Sequence, residues 1–150
     1  MAGLPDVAVR RRCLFATAPD VLGDAQATWA RSRPWLPLIR NLGIPAAIVA
    51  QNGAEDHAPL WDNAHLWDVL FVGGDTTWKL SDDAHDVVRE AQFRGKWVHV
   101  GRVNSWRRLS LLADWDVDSV DGTYLRFGPD TNGRQLSRWL TRLDTEPTLF

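Results

Sequence analysis

The sequence predicts an α/β fold, a partial TIM (β/α)8-type barrel of about five parallel β/α units, with an open doubly wound parallel sheet as the alternative. Short apolar runs alternate with polar, helix-like stretches in the order βαβαβαβαβα, which implies parallel pairing through right-handed crossovers. The runs begin near residues 13, 45, 68, 96 and 117, intervals that suit one unit each. The chain has 150 residues, whereas a full barrel takes about 250. One α/β domain over residues 1–150 is expected.

The first strand is read at 13–17 (Cys-Leu-Phe-Ala-Thr). A helix over 23–42 follows, with Asp24 near its start, Gly43 past its end, and Pro34 and Pro37 kinking or splitting it. Residues 45–50 are a second strand, and 51–67 a loop with a short helix. Residues 68–72 are a third strand, ended by Gly73-Gly74. The 81–94 helix has Ser81 as N-cap, Asp82 and Asp83 in its first turn, and Gly95 just beyond. Ala84, Val87, Val88 and Ala91 give it one apolar face. A fourth strand at 96–100, a helix at 105–114, a short fifth strand at 117–120 and a last helix at 131–143 complete the order. Leu136, Leu140 and Leu143 mark the face that the last helix should bury.

Composition narrows the classes. Hydrophobic residues at 45% and charged residues at 24% are the globular balance. No apolar run approaches the ~20 residues needed to cross a bilayer. The opening Met-Ala-Gly-Leu-Pro-Asp has no apolar signal core, so cytoplasm is the expected compartment. Cys13 is the one cysteine, which excludes an internal disulfide and a Cys-cluster zinc site; neither a metal nor a cofactor is expected. A net charge of −2 is not that of a nucleic-acid coat, but it allows a local basic face. The nine Trp read as core anchors or as platforms for bases.

Both alternative folds place their site at the carboxyl ends of the strands. There the sequence puts Thr17–Asp20, Gln51-Asn52-Gly53, Gly73–Thr76, Gly101–Ser105 and Asp118–Thr123. Acids, an amide and a glycine pair suit a polar planar ligand. Asp20 is a helix cap or a carboxylate for a base's N–H edge; Gln51 is a loop amide or a base reader. Gly73 and Gly74 form a tight turn or admit close backbone approach to a ligand. Asp118 and Asp121 fall on opposite faces, and one of them is a nucleophile or base, or they are a turn acid and a helix cap. Lys79, Arg102, Asn104 and Arg107 are candidates for phosphate contact, against a solvated face. Trp78 or Trp106 is placed to stack on a base, and His99 reads as a core histidine.

The runs 70–80 (Leu-Phe-Val-Gly-Gly-Asp-Thr-Thr-Trp-Lys-Leu), 95–105 (Gly-Lys-Trp-Val-His-Val-Gly-Arg-Val-Asn-Ser) and 118–123 (Asp-Ser-Val-Asp-Gly-Thr) resemble the deazapurine DNA-modification proteins, relatives of the tRNA-guanine transglycosylases. Residues 16–20 and 48–53 fit the same pattern in the same order. The resemblance implies a TIM-type barrel that inserts a 7-deazaguanine into DNA by base exchange, acting as a pentosyltransferase. By motif, Asp20, Gln51, Gly73 and Gly74 would bind the base, and Asp121 would be the nucleophile. The family's other catalytic aspartate, on an earlier strand, has no counterpart here. Arg10-Arg11-Arg12 reads as the tail of a preceding unit, and the chain as lacking an N-terminal part. Open barrel edges then imply a homodimer or a complementary polypeptide. A non-catalytic purine-binding module and a small-molecule α/β enzyme are the competing functions.

Overall fold

The computed structural model describes residues 12–145; the reading of Arg10 and Arg11 as the tail of a preceding unit lies outside them. The elements, in chain order, are β1 (Ala16–Thr17), α1 (Ala25–Ser32), α2 (Leu36–Asn41), β2 (Ala46–Ala50), α3 (Ala58–Asp62), β3 (Val69–Val72), α4 (Thr76–Lys79), α5 (Asp82–Phe93), β4 (Trp97–Val100), α6 (Trp106–Asp114), β5 (Ser119–Val120) and α7 (Pro129–Thr145). Single 3-10 turns stand at Ala54–Asp56, Ala64–Leu66 and Tyr124–Phe127.

The fold is α/β with five parallel strands whose order in the sheet is the order in the chain. A doubly wound sheet reverses its strand order at a switch point; this one never reverses, so its winding is that of a run of barrel units. The registers fix Ala16 opposite Ala46, Ala47 opposite Val69 and His99 opposite Ser119. The contacts gather into two compact units that divide between Val98 and His99, inside β4.

In the first unit all five residues of β2 are buried, as befits a parallel strand covered on both faces. Its neighbour β3 buries Val69, Leu70 and Val72, and α5 lays Ala84, Val87, Val88 and Ala91 against it. The expected 81–94 helix is α5, with the Ser81 hydroxyl accepting from the Ala84 N–H and Gly95 in the left-handed region at φ 69°. The expected 23–42 helix is split. Asp24 caps α1 by accepting from the Ala27 N–H at 2.8 Å, and Pro37, in the first turn of α2, restarts the helix after the break at Arg33–Trp35. Trp29, Trp67, Trp78 and Trp115 are buried anchors, so much of the tryptophan serves packing.

The second unit buries Val100, Leu109, Leu112 and Trp115. Its last helix departs from expectation: α7 has no buried residue, and Leu140 of its apolar face is 50% exposed.

One ion pair locks the amino end of β2. Arg40 Nε and Nη2 donate to Asp68 at 3.0 and 2.6 Å, and Arg40 Nη1 donates to the His65 carbonyl at 2.7 Å. Asp68 also accepts from the Ala46 N–H at 2.9 Å. Partial burial is the strongest single influence on the Asp68 carboxyl and pushes it up. The Arg40 bond, the Ala46 N–H and the charges of Arg40 and Lys96 together outweigh it and hold the carboxyl below its usual range. Burial pushes the Lys96 ammonium down, against the pull of Asp68. A depressed carboxyl contributes stability above its unfolded value of about 3.9, and that contribution is lost as pH falls through the folded value. Asp68→Asn should therefore lower Tm near neutral pH and leave a flatter acid limb, the two proteins converging once the Asp68 carboxyl is protonated; thermal unfolding followed by circular dichroism from neutral to acid pH checks it.

Candidate functional site

The first unit brings Asp20, Gln51, Gly73 and Gly74 together at the carboxyl ends of β1, β2 and β3. Gln51 follows β2 directly and is 1% exposed. Its side-chain oxygen accepts from the Gly23 N–H and the Gly74 N–H, each at 2.9 Å. Its amide nitrogen donates to Asp20 Oδ2 at 2.6 Å. A buried amide needs its bonds made, and Gln51 makes them to the protein itself. Both lone pairs of its oxygen are therefore engaged by backbone, as in the loop-amide reading of Gln51. Its place is that of a bracket holding the carboxylate of Asp20, which is exposed.

The glycine pair is required by the same bracket. A Cβ on Gly73 would come within 2.7 Å of Val49 Cγ1 and 2.9 Å of Gln51 Nε2. Gly74 adopts φ +66°, and a Cβ there would collide with the Trp78 ring. Beside it, Asn52 Nδ2 donates to Asp75 Oδ2 at 2.6 Å, the Asp75 N–H donates to Asn52 Oδ1 at 3.1 Å, and Asp75 caps α4 by accepting from the Trp78 N–H. Trp78 is 7% exposed and donates its indole N–H to Glu55 at 3.0 Å. It is a wall of the turn, not the stacking platform expected. Lys79 is 4% exposed, so its ammonium is not displayed to a phosphate chain as the sequence suggested.

The second unit holds Asp121, just past β5. Its Oδ1 accepts from the Arg102 N–H at 2.9 Å, and its Oδ2 lies 3.1 Å from His99 Nε2. His99 Nδ1 is 2.7 Å from Ser119 Oγ. The parallel register sets His99 opposite Ser119, and strand alternation turns Ser119 and Asp121 to one side. The backbone N–H of Arg102 reaches Asp121 because Arg102 takes φ 62°, a costly region for a residue with a Cβ. His99 is buried, as read from the sequence, but it belongs to the Asp121 cluster. Sequence reasoning overlooked Ser119 and the backbone of Arg102; strand register was the signal for the first, and nothing in residue identity signals the second. Asn104 accepts from the Thr123 N–H at 2.7 Å and packs under Gly122. Its amide thus ties down the turn after β5. Arg102 and Arg107 have exposed side chains.

A groove of about 460 Å3 lies elsewhere in the first unit, lined by Glu55, Asp56, Asp62, Asp86 and Glu90 around Trp61. Its carboxylates would repel a phosphate backbone. Among the described residues no His, Cys, Asp and Glu cluster has the makings of a metal site, and no helix is long and apolar enough to cross a membrane. No family model, curated protein or solved structure matches the chain.

Two outcomes follow from these contacts. Gln51→Glu places a second carboxylate against Asp20 and should cost about 2–3 kcal/mol. Adding Asp20→Asn restores a donor across that contact, and most of the loss should return in a chemical-denaturation double-mutant cycle. In the second unit, a carboxylate only accepts, so neutral His99 should carry its proton on Nε2 and accept from the Ser119 hydroxyl at Nδ1. Long-range 15N–1H correlation of the imidazole should report that tautomer, and Asp121→Ala should remove the preference.

Proposed function

We propose that the protein is a base-exchange transglycosylase that inserts a 7-deazaguanine-type base into DNA, with Asp121 as nucleophile and Asp20 as base-binding carboxylate. The observation that carries this reading is that the two carboxylates follow parallel strands, each oriented by neighbours: Asp20 by the Gln51 amide, Asp121 by the Arg102 N–H and the His99 ring. The motif resemblance and the winding of the sheet support it.

In this chemistry the Asp121 carboxylate attacks the anomeric carbon of the target nucleotide. The bond from that carbon to the departing base breaks, and its electron pair leaves on the base, which takes up a proton from water. A glycosyl ester on Asp121 results, through an oxocarbenium-like transition state, as in retaining glycosidases. The incoming deazaguanine then gives up the proton of its ring nitrogen to water and attacks the same carbon, expelling the carboxylate. Asp20 meets the N–H edge of the base, where an acceptor is wanted. The target nucleotide must be flipped out or single-stranded to be reached.

A second reading, a purine-binding module without catalysis, is favoured by the division of the residues. The Asp20 bracket lies wholly in the first unit and Asp121 in the second, so binding does not require the nucleophile. Labelled 7-deazaguanine should enter DNA with the wild-type protein, and Asp121→Ala should reduce incorporation by about 10³-fold or more. Base binding should survive Asp121→Ala and fail with Asp20→Ala. Binding without incorporation by the wild type would select the second reading.

A further inference from the structure

The last helix carries a charge pattern that folding does not explain. Between Thr131 and Leu143 its only charged residues are Arg134, Arg138 and Arg142, while its acids, Asp130 and Asp144, sit at the two ends. A spacing of four places the arginines on one face, about 6 Å apart along the axis. That face lies away from the apolar stripe of Leu136, Leu140 and Leu143. All three arginines are exposed, and Arg134 and Arg138 form no ion pair among the described residues. Like charges four apart weaken a helix, and a solvated face gains by mixing signs. The α5 helix does so, pairing Glu90 with Arg94 at 2.6 Å.

The row is also continued onto a second element. The Arg142 guanidinium lies over the Trp106 ring, 4.4 Å from its centroid. Trp106 opens α6, and the next residue, Arg107, has an exposed side chain. Three arginines thus follow one path on α7, with the indole of Trp106 against the last of them. Evenly spaced guanidiniums suit evenly spaced phosphates, and each one can grip phosphate oxygens with paired N–H groups.

We infer that Arg134, Arg138 and Arg142 on α7, with the Trp106 ring against Arg142, form a track that binds the sugar–phosphate backbone of a nucleic-acid strand. The inference rests on the proposed function for the kind of polymer, but it concerns strand binding alone and needs no base exchange.

The test is fluorescence anisotropy of a labelled single-stranded oligodeoxynucleotide with the full chain over a range of salt. Arg134→Glu/Arg138→Glu should weaken binding at least tenfold at low salt. Its log K against log salt should be shallower by about 1.4, the value for two phosphate contacts on a single strand. Arg33→Glu/Arg89→Glu, the same change of charge on exposed residues of the first unit, should bind like the wild type. The melting temperature of Arg134→Glu/Arg138→Glu should stay near that of the wild type, because both positions are exposed and the helix keeps the same number of like and unlike charge pairs four apart. The inference is overturned if the wild type does not bind the strand, if the row variant binds as well as the wild type, or if the control loses as much. Loss of strand binding by the row variant, with no base exchange by the wild type, would remove the proposed function and keep the track. Base exchange by the wild type, together with strand binding by the row variant as tight as the wild type's, would do the reverse.

Discussion

The buried amide of Gln51 is the constraint on which the first unit's strand ends depend. One side chain accepts from two backbone N–H groups on different loops, at Gly23 and Gly74, and donates to the carboxylate of Asp20. Three chain segments that enter from three strands therefore share one hub. Each bond is modest alone, about 1 kcal/mol, but leaving any of these groups dry and unpaired costs more than the bond gains. The geometry of Asp20 is thus coupled to that of the glycine turn. Close packing enforces the coupling, since the space beside Gly73 and Gly74 is already taken by Val49, Gln51 and Trp78.

Asp121 is held by a different device. Its carboxylate is oriented by a strained backbone at Arg102 and by a histidine whose other nitrogen meets Ser119. The Asp20 hub is built from well-packed, unstrained strand ends. Strain of the kind seen at Arg102 persists only where surrounding contacts over-determine it. Here these include the Val103 N–H bond to the Asp121 carbonyl at 2.6 Å and the Asp121 N–H bond to the Val100 carbonyl at 3.1 Å. One carboxylate is positioned by packing, the other by a loop pinned in an unfavourable shape.

Much of the architecture was legible because local signals agreed with one another. Ser81, Asp82, Asp83 and Gly95 bracket the same helix that the apolar period of Ala84, Val87, Val88 and Ala91 defines. β2 and β3 are short, largely buried runs between turn residues, and the order of the strands followed from alternation. Partners were harder to read than positions. Gln51 was marked by lying at a strand end, yet whether its amide faces a ligand or the protein depends on where Gly23 and Gly74 place their N–H groups. Trp78 and Lys79 look like surface residues in a polar segment, and tertiary packing buries both. The α7 helix shows the opposite failure: a leucine stripe promised burial, and no residue of the helix is buried.

The left-handed conformation at position 102 has a consequence for tracing this protein's relatives. What grips the carboxylate there is an amide hydrogen, which every amino acid except proline supplies; the guanidinium is incidental to that grip. Asparagine or glycine would adopt the same shape with less strain. Descendants can therefore exchange the side chain freely while the loop's contour stays fixed, and comparison by letters would score the position as unimportant. Only a comparison of backbone shapes would recognise it as shared.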